Sequence, residues 1–182
     1  TGVTNESQTL NLAVVSGNTA VAKVGALSYT SPNATGSLSF TPAANANGSA
    51  VTTVTVNNGQ PTNNLATRSF TVNVASVNQA PTLNVLGNLA INYSPVTQTV
   101  NLSGITSGAT NESQTLTVTA SSSNPALIPN PTVNYTNPST TGTLTFAPLT
   151  NANGTATITV VVKDNGGTTN GGTDSVTNSF TV

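Results

Sequence analysis

Polar and apolar residues alternate along most of this chain. Thr115-Leu116-Thr117-Val118-Thr119-Ala120, Gly142-Thr143-Leu144-Thr145-Phe146 and Ala156-Thr157-Ile158-Thr159-Val160 all have a period of two. That period puts Leu, Val, Phe and Ile on one face of a strand and Thr hydroxyls on the other, as in a half-buried antiparallel sheet. Thr is β-branched, so it favours extended backbone even where it faces water. Breakers separate the runs: Ser123-Asn124-Pro125, Asn137-Pro138, Asn153-Gly154 and Asn165-Gly166-Gly167. The pattern predicts strands near 82–86, 89–92, 97–102, 114–120, 131–136, 142–147, 155–162 and 174–182. Earlier in the chain it predicts strands near 8–14, 24–30, 36–41, 49–56 and 65–74. No amphipathic helix is predicted. Short strands at this spacing, with Gly, Pro and Asn turns, read as an all-β sandwich.

The alternation comes in two copies. Thr4-Asn5-Glu6-Ser7-Gln8-Thr9-Leu10 returns letter for letter as Thr110-Asn111-Glu112-Ser113-Gln114-Thr115-Leu116, an offset of 110 − 4 = 106 residues. In the same register Tyr29 meets Tyr135, Thr35-Gly36 meets Thr141-Gly142, and Asn45-Ala46-Asn47-Gly48 meets Asn151-Ala152-Asn153-Gly154. Solenoid units run to roughly 20–50 residues, so a period of this length is one small domain. The copies differ by four residues in the Gly-rich hairpin at Asn165–Gly172. Extra length at a hairpin tip costs little closure entropy.

Composition narrows the function. Of 182 residues, three are Lys or Arg and four are Asp or Glu, 4% charged against about 25% in an average protein. So few cations exclude a nucleic-acid surface and a polybasic membrane patch. No apolar run approaches the roughly 18 residues of a spanning helix, so no membrane insertion is expected in this segment. There is no Cys, His, Met or Trp, which removes disulfides and thiolate metal sites.

At the junction between the copies the chain resembles a known family. The linker Val77-Asn78-Gln79-Ala80-Pro81-Thr82, the closing Ser69-Phe70-Thr71-Val72 and Ser179-Phe180-Thr181-Val182, and the strand Asn153-Gly154-Thr155-Ala156-Thr157-Ile158-Thr159-Val160 resemble bacterial extracellular Ig-like or cadherin-like tandem repeats. The resemblance covers nearly the whole chain. It implies antiparallel β-sandwich modules in long surface proteins, where they serve as stalks, adhesins and fibre modules. Many such modules have Asp in the linker where this chain has Gln79. A neutral amide is a poor ligand, which weakens the case for calcium at this joint.

If modules begin at the linker, 78–182 is a complete module, and 1–77 lacks counterparts of 78–106. Those counterparts hold the strands expected at Thr82–Val85, Leu89–Asn92 and Val96–Leu102. A sandwich without them exposes its inner face and unpaired backbone groups. They come either from a neighbouring repeat portion of a longer chain or from another molecule by strand donation.

The chain offers little material for chemistry. General acid–base catalysis usually uses His or tuned carboxylates, and a Ser or Thr nucleophile needs a base to activate it. The four acids are Glu6, Glu112, Asp164 and Asp174, and Glu6 and Glu112 occupy the same repeat position. We therefore expect no enzyme, with no catalytic, cofactor-binding or metal residues. Lys163-Asp164-Asn165-Gly166-Gly167 with Asp174 and Glu112 is the one candidate calcium set. Ca²⁺ takes 6–8 oxygens with several carboxylates, whereas a hairpin turn needs only residues tolerant of positive φ. The turn asks less of the sequence. Asn-X-Ser/Thr triplets occur at Asn5, Asn33, Asn47, Asn92, Asn101, Asn111, Asn134 and Asn153, as chance provides in so Asn- and Thr-rich a chain. Phe40, Phe146, Phe70 and Phe180 keep the apolar phase and are expected in the core. Tyr29 and Tyr135 are expected to cap the sandwich edge through hydrogen-bonded hydroxyls, and Tyr93 completes the aromatics.

The expectation is therefore all-β: tandem Ig-like (cadherin-like) antiparallel β-sandwich modules, an incomplete one over 1–77 and a complete one over 78–182. They would form a structural repeat of a long bacterial extracellular surface or filament protein, a rod or polymer whose partners are copies of itself or adjacent repeats. The alternative is an adhesin module that recognises a glycan or host ligand through hairpin loops such as 163–173.

Overall fold

The computed structural model describes residues 8–92 and 96–182. Asn5, Glu6 and Tyr93, singled out in the sequence, lie outside the described residues. The chain is all-β and divides into two compact units, Thr1–Ser76 and Val77–Val182.

The first unit holds β1 (Asn11–Ser16), β2 (Ala22–Ser28), β3 (Ser37–Pro42), β4 (Gly48–Asn57) and β5 (Leu65–Val74). They form two antiparallel sheets, β1-β4-β5 and β2-β3. The second unit holds β6 (Gln98–Ser103), β7 (Leu116–Ser122), β8 (Thr132–Asn134), β9 (Thr141–Phe146), β10 (Thr157–Asp164) and β11 (Ser175–Thr181). Its sheets are β11-β10-β7 and β6-β9-β8.

Equivalent strands pair in equivalent registers. Leu12 faces Val56 as Val118 faces Val162, and Leu27 faces Leu38 as Val133 faces Leu144. Thr52 faces Phe70 as Ile158 faces Phe180. A one-residue slip would turn every apolar side chain outward, so the shared alternation holds both units to one register. The repeated turns have equally local causes. Asn45 and Asn151 take φ of 57° and 60°, and Gly48 and Gly154 take 117° and 134°, where only glycine is comfortable. In the repeated Thr-Gly pairs, the glycine lets a tyrosine ring lie against the strand. A Cβ at Gly36 or Gly142 would stand 3.3 Å from the ring of Tyr29 or Tyr135 and closer still, at 2.9 or 3.0 Å, to the carbonyl oxygen of Ser28 or Asn134.

Two expected strands do not form. In the segments 82–86 and 89–92 the pairing is a single bridge, Thr82 to Thr106, with isolated backbone bonds. Asn84 N donates to Ser103 O (2.9 Å), and five residues later Leu89 N donates to Thr181 O (2.8 Å). The segment thus leaves the end of β6 in one sheet and crosses to the edge of β11 in the other. A crossing chain cannot build a ladder in either sheet. Its alternation is spent instead on Leu83, which is buried, and on Leu86, Leu89 and Ile91, which pack on the core.

Candidate interaction surface

The two units bury unequal cores. The second unit encloses Leu102, Ile105, Leu144, Ile158, Val160, Val162 and Phe180 with others of their kind. Among the described residues, the buried apolar cluster of the first unit is Val21, Ala22 and Ala50, with Val72 and Val74 packed against it. Phe180 is 1% exposed, whereas its counterpart Phe70 is 44% exposed. Phe70 and half-buried Phe40 therefore depart from the core placement expected of them. They meet edge to face at 5.8 Å beneath an open groove of about 320 Å³. Leu12, Val14, Leu38 and Val54 line the same groove. Leaving a phenylalanine that exposed forgoes on the order of 1 kcal/mol of burial free energy.

The groove is open because of strand order. In the second unit β9 has β6 on one side and β8 on the other. Val100 and Leu102 of β6 face Leu144 and Gly142, and Leu102 is fully buried. In the first unit β3 pairs with β2 alone among the described strands. Among the described residues its other edge has no strand partner. The second unit also covers β11. Asn178 Nδ2 donates to Leu83 O (2.8 Å) and Asn84 O (3.2 Å) there. The position equivalent to Asn178 is Arg68, whose guanidinium donates to Thr67 O.

A second difference lies at the other hairpin. Asn78 is 9% exposed and Asp164 is 3% exposed. Asn78 Nδ2 is shared among Asp164 Oδ1 (2.9 Å), Gly167 O (3.2 Å) and Thr173 O (2.8 Å). Its Oδ1 accepts from Gln114 Nε2 (2.7 Å), and its main-chain O accepts from Thr173 N (3.0 Å). Gly166 N also donates to Asp164 Oδ1 (2.8 Å). A Cβ on Gly166 would collide with the Asn78 amide, and one on Gly172 would stand 3.0 Å from Asn78 Cβ. The four-residue insertion is thus more than a tolerated tip, because it wraps Asn78. The first unit has Asn58 at the Asp164 position and Gln60 at the Gly166 position, and its described residues form no equivalent socket. Asp164 Oδ2 and Gln114 Oε1 are buried and meet no protein donor among the described residues.

The residues of the candidate calcium set are dispersed among structural roles. Glu112 accepts from the main-chain N–H of Gln79 through Oε1 (2.9 Å) and of Ala109 through Oε2 (3.2 Å). Asp174 pairs with Lys163 (3.3 Å) at the surface, and Asn165 Oδ1 accepts from Thr115 N (2.9 Å). Among the described residues no group of three or more acids is placed to hold a metal ion. Tyr135 also differs from expectation. Tyr135 packs against the core, but its hydroxyl is buried without a partner among the described residues, and burial pushes the phenol above its ordinary pKa. Sequence reasoning missed Asn78 as a key residue, since its partners lie 36 to 95 positions away.

No protein-family model and no curated protein matches the chain. Among solved structures it is similar to domains 4 and 5 of the S-layer protein SbsC, with a TM-score of 0.35 and 19% identity over 93% of this chain and 68% of that one. It is also similar to SbsC domains 4–9, with a TM-score of 0.35 and 18% identity over 99% of this chain and 23% of that one. For SbsC domains 1–6 the values are 0.33, 18%, 93% and 19%. At these scores the likeness is distant, and the chain spans about a fifth of the longer SbsC structures.

Proposed function

We propose that this chain is a structural stretch of tandem Ig-like, cadherin-like β-sandwich modules, 1–77 and 78–182, from a bacterial extracellular surface or filament protein. Its work is to supply repeated, mutually compatible modules that assemble with adjacent repeats or copies of the chain into a polymer. One observation carries the reading: equivalent strands of the two units pair in the same register at a fixed repeat offset. Interchangeable modules repeated in tandem suit an assembly better than a free-standing receptor. The nearly uncharged Thr- and Asn-rich surface supports the same reading, since contacts made through backbone edges and apolar grooves depend little on salt. The described carboxylates hold turns and Asn78 in place, a use that fits a structural protein. The adhesin reading relied on the loop 163–173, but much of that loop is occupied in holding Asn78.

Immunogold electron microscopy with antibodies against the 182-residue chain tests the proposal on native cells. We expect label on the cell exterior, repeating along filaments or a surface layer. Label confined to the cytoplasm, or to isolated particles with a distinct ligand-binding head, would sink it.

A further inference from the structure

We infer that Asn130 and Asn137 guard a strand edge. Their side chains occupy the outer edge of β7, so the second unit rejects an added strand there, and any neighbouring module meets it elsewhere. The inference goes beyond the polymer reading and stands on the second unit alone.

β7 needs such a guard. It ends its sheet, with β10 on its paired side. Its sequence, Leu-Thr-Val-Thr-Ala-Ser-Ser, holds no Pro, Gly or charge. An uncharged, alternating edge of that kind is a template for pairing with another chain. Proteins commonly protect such edges with charged side chains, Lys above all. That device is missing here, because no Asp, Glu, Lys or Arg occurs between Glu112 and Lys163.

The hydrogen bonds show what replaces it. Successive N–H groups of a strand point to opposite sides. Ser123, one residue past β7, donates across the ladder to Thr157 O (2.9 Å). The odd positions of β7 therefore face β10, and Leu116, Val118, Ala120 and Ser122 aim their N–H groups at the free edge. Asn137 Oδ1 accepts from Leu116 N (2.9 Å), and Asn130 Oδ1 accepts from Ser122 N (2.9 Å). A side-chain amide oxygen thus stands at each end of the edge, in the place that the carbonyl of a guest strand would take. Among the described residues this leaves Val118 and Ala120 between the caps, too short a stretch to hold a strand.

The two asparagines flank β8, the edge of the opposite sheet, and each precedes a proline, Pro131 or Pro138. Proline restricts the backbone of the residue before it and brings no N–H of its own. Each amide is therefore held beside β7 by a loop that offers a guest no donor at that point. One cap recurs in the first unit with a different side chain. Ser31, at the Asn137 position and also before a proline, accepts from Leu10 N through Oγ (3.1 Å). The Asn130 position is Val24 there.

The test uses the whole 182-residue chain. In amide exchange read by NMR, Asn137→Ala should speed Leu116 and Asn130→Ala should speed Ser122, each by ~10-fold for one lost hydrogen bond. Asn137→Ser should restore Leu116, as Ser31 serves Leu10. An unchanged rate at either amide in its alanine variant would overturn the inference. The Asn130→Ala, Asn137→Ala double variant should self-associate in sedimentation at lower concentration than wild type, and Asn134→Ala, an exposed neighbour on β8, should not. Exchange at Val118 and Ala120 should slow as the double variant associates, because those N–H groups then enter a ladder. A double variant that associates no more than wild type, or that associates with these amides still fast, would overturn the inference too. If the double variant does not fold, Asn130→Val, which carries the residue of the first unit, is read by the same criteria. Association of wild type through other surfaces leaves the β7 amides as they are, so the polymer reading and this one fail separately.

Discussion

Phe70 and Phe180 close the same repeated Ser-Phe-Thr-Val strand and face equivalent neighbours across it, yet one is exposed and the other buried. The two strands do not account for the difference. It comes from residues 82–103, which run beside β11 and β9 in the second unit and have no counterpart among the described residues of the first. A β-sandwich is therefore completed by its edges. Two sheets with correct register and turns still enclose only Val21, Ala22 and Ala50 when the strand that closes one side is not in place. The first unit also tolerates a buried Thr52 hydroxyl that meets no partner among the described residues, where the second has Ile158. Leaving such a donor unpaired costs about 1–3 kcal/mol.

The comparison breaks most sharply at its paired core leucines. Leu144→Ala should cost the second unit about 2–5 kcal/mol, the cost of a cavity in a closed core. Leu38→Ala, at the open groove, should cost about 1 kcal/mol or less, because water already reaches the site and little cavity is created. Denaturant titration followed by hydrogen-exchange mass spectrometry reads each unit separately. Equal losses would mean that the groove is closed in solution.

The Asn78 socket should give the next largest effect. Asn78→Ala removes several hydrogen bonds and leaves Asp164 buried without its amide partner, which should destabilise the second unit by about 1–3 kcal/mol. The same substitution at Asn58, whose side chain accepts from Gln60 N in an exposed turn, should stay within about 0.5 kcal/mol. Thermal melts of the two variants check this. A silent Asn78→Ala would show that the long hairpin closes without it.

Tyr135 should give the smallest effect. Tyr135→Phe removes an unpartnered buried hydroxyl and should change stability at neutral pH by less than about 1 kcal/mol. In alkali the sign is fixed by linkage. The folded phenol holds its proton above the ordinary value of 10.0, so the unfolded chain loses protons first. Stability is full below that pH and falls as pH rises through the folded value. Wild type should therefore lose stability faster than Tyr135→Phe above about pH 10, read from denaturation midpoints across that range. Parallel curves would show that the hydroxyl reaches solvent.

Much of the fold was legible along the chain because its causes are local. Thr-Leu-Thr-Val alternation locates β7, the Asn-Ala-Asn-Gly repeat marks turns that need positive φ, and the 106-residue offset implies that both units share a register. Alternation misled at 82–86 and 89–92, where Leu83 and Leu89 are buried by a chain crossing between sheets. A period of two reports which side chains face inward, and says nothing about whether a neighbour is available to complete the ladder.

The sequence by itself determined the all-β class, the doubling and the scarcity of groups able to do catalysis, because these depend on periodicity and composition. Only the tertiary structure decided what Asn78, Glu112 and Phe70 do. Asn78 meets Asp164 at a separation of 86 residues and Glu112 meets Gln79 at 33. Whether Phe70 is core or surface depends on which strand lies over it. Such contacts are set by chain crossings and edges, which no local pattern encodes.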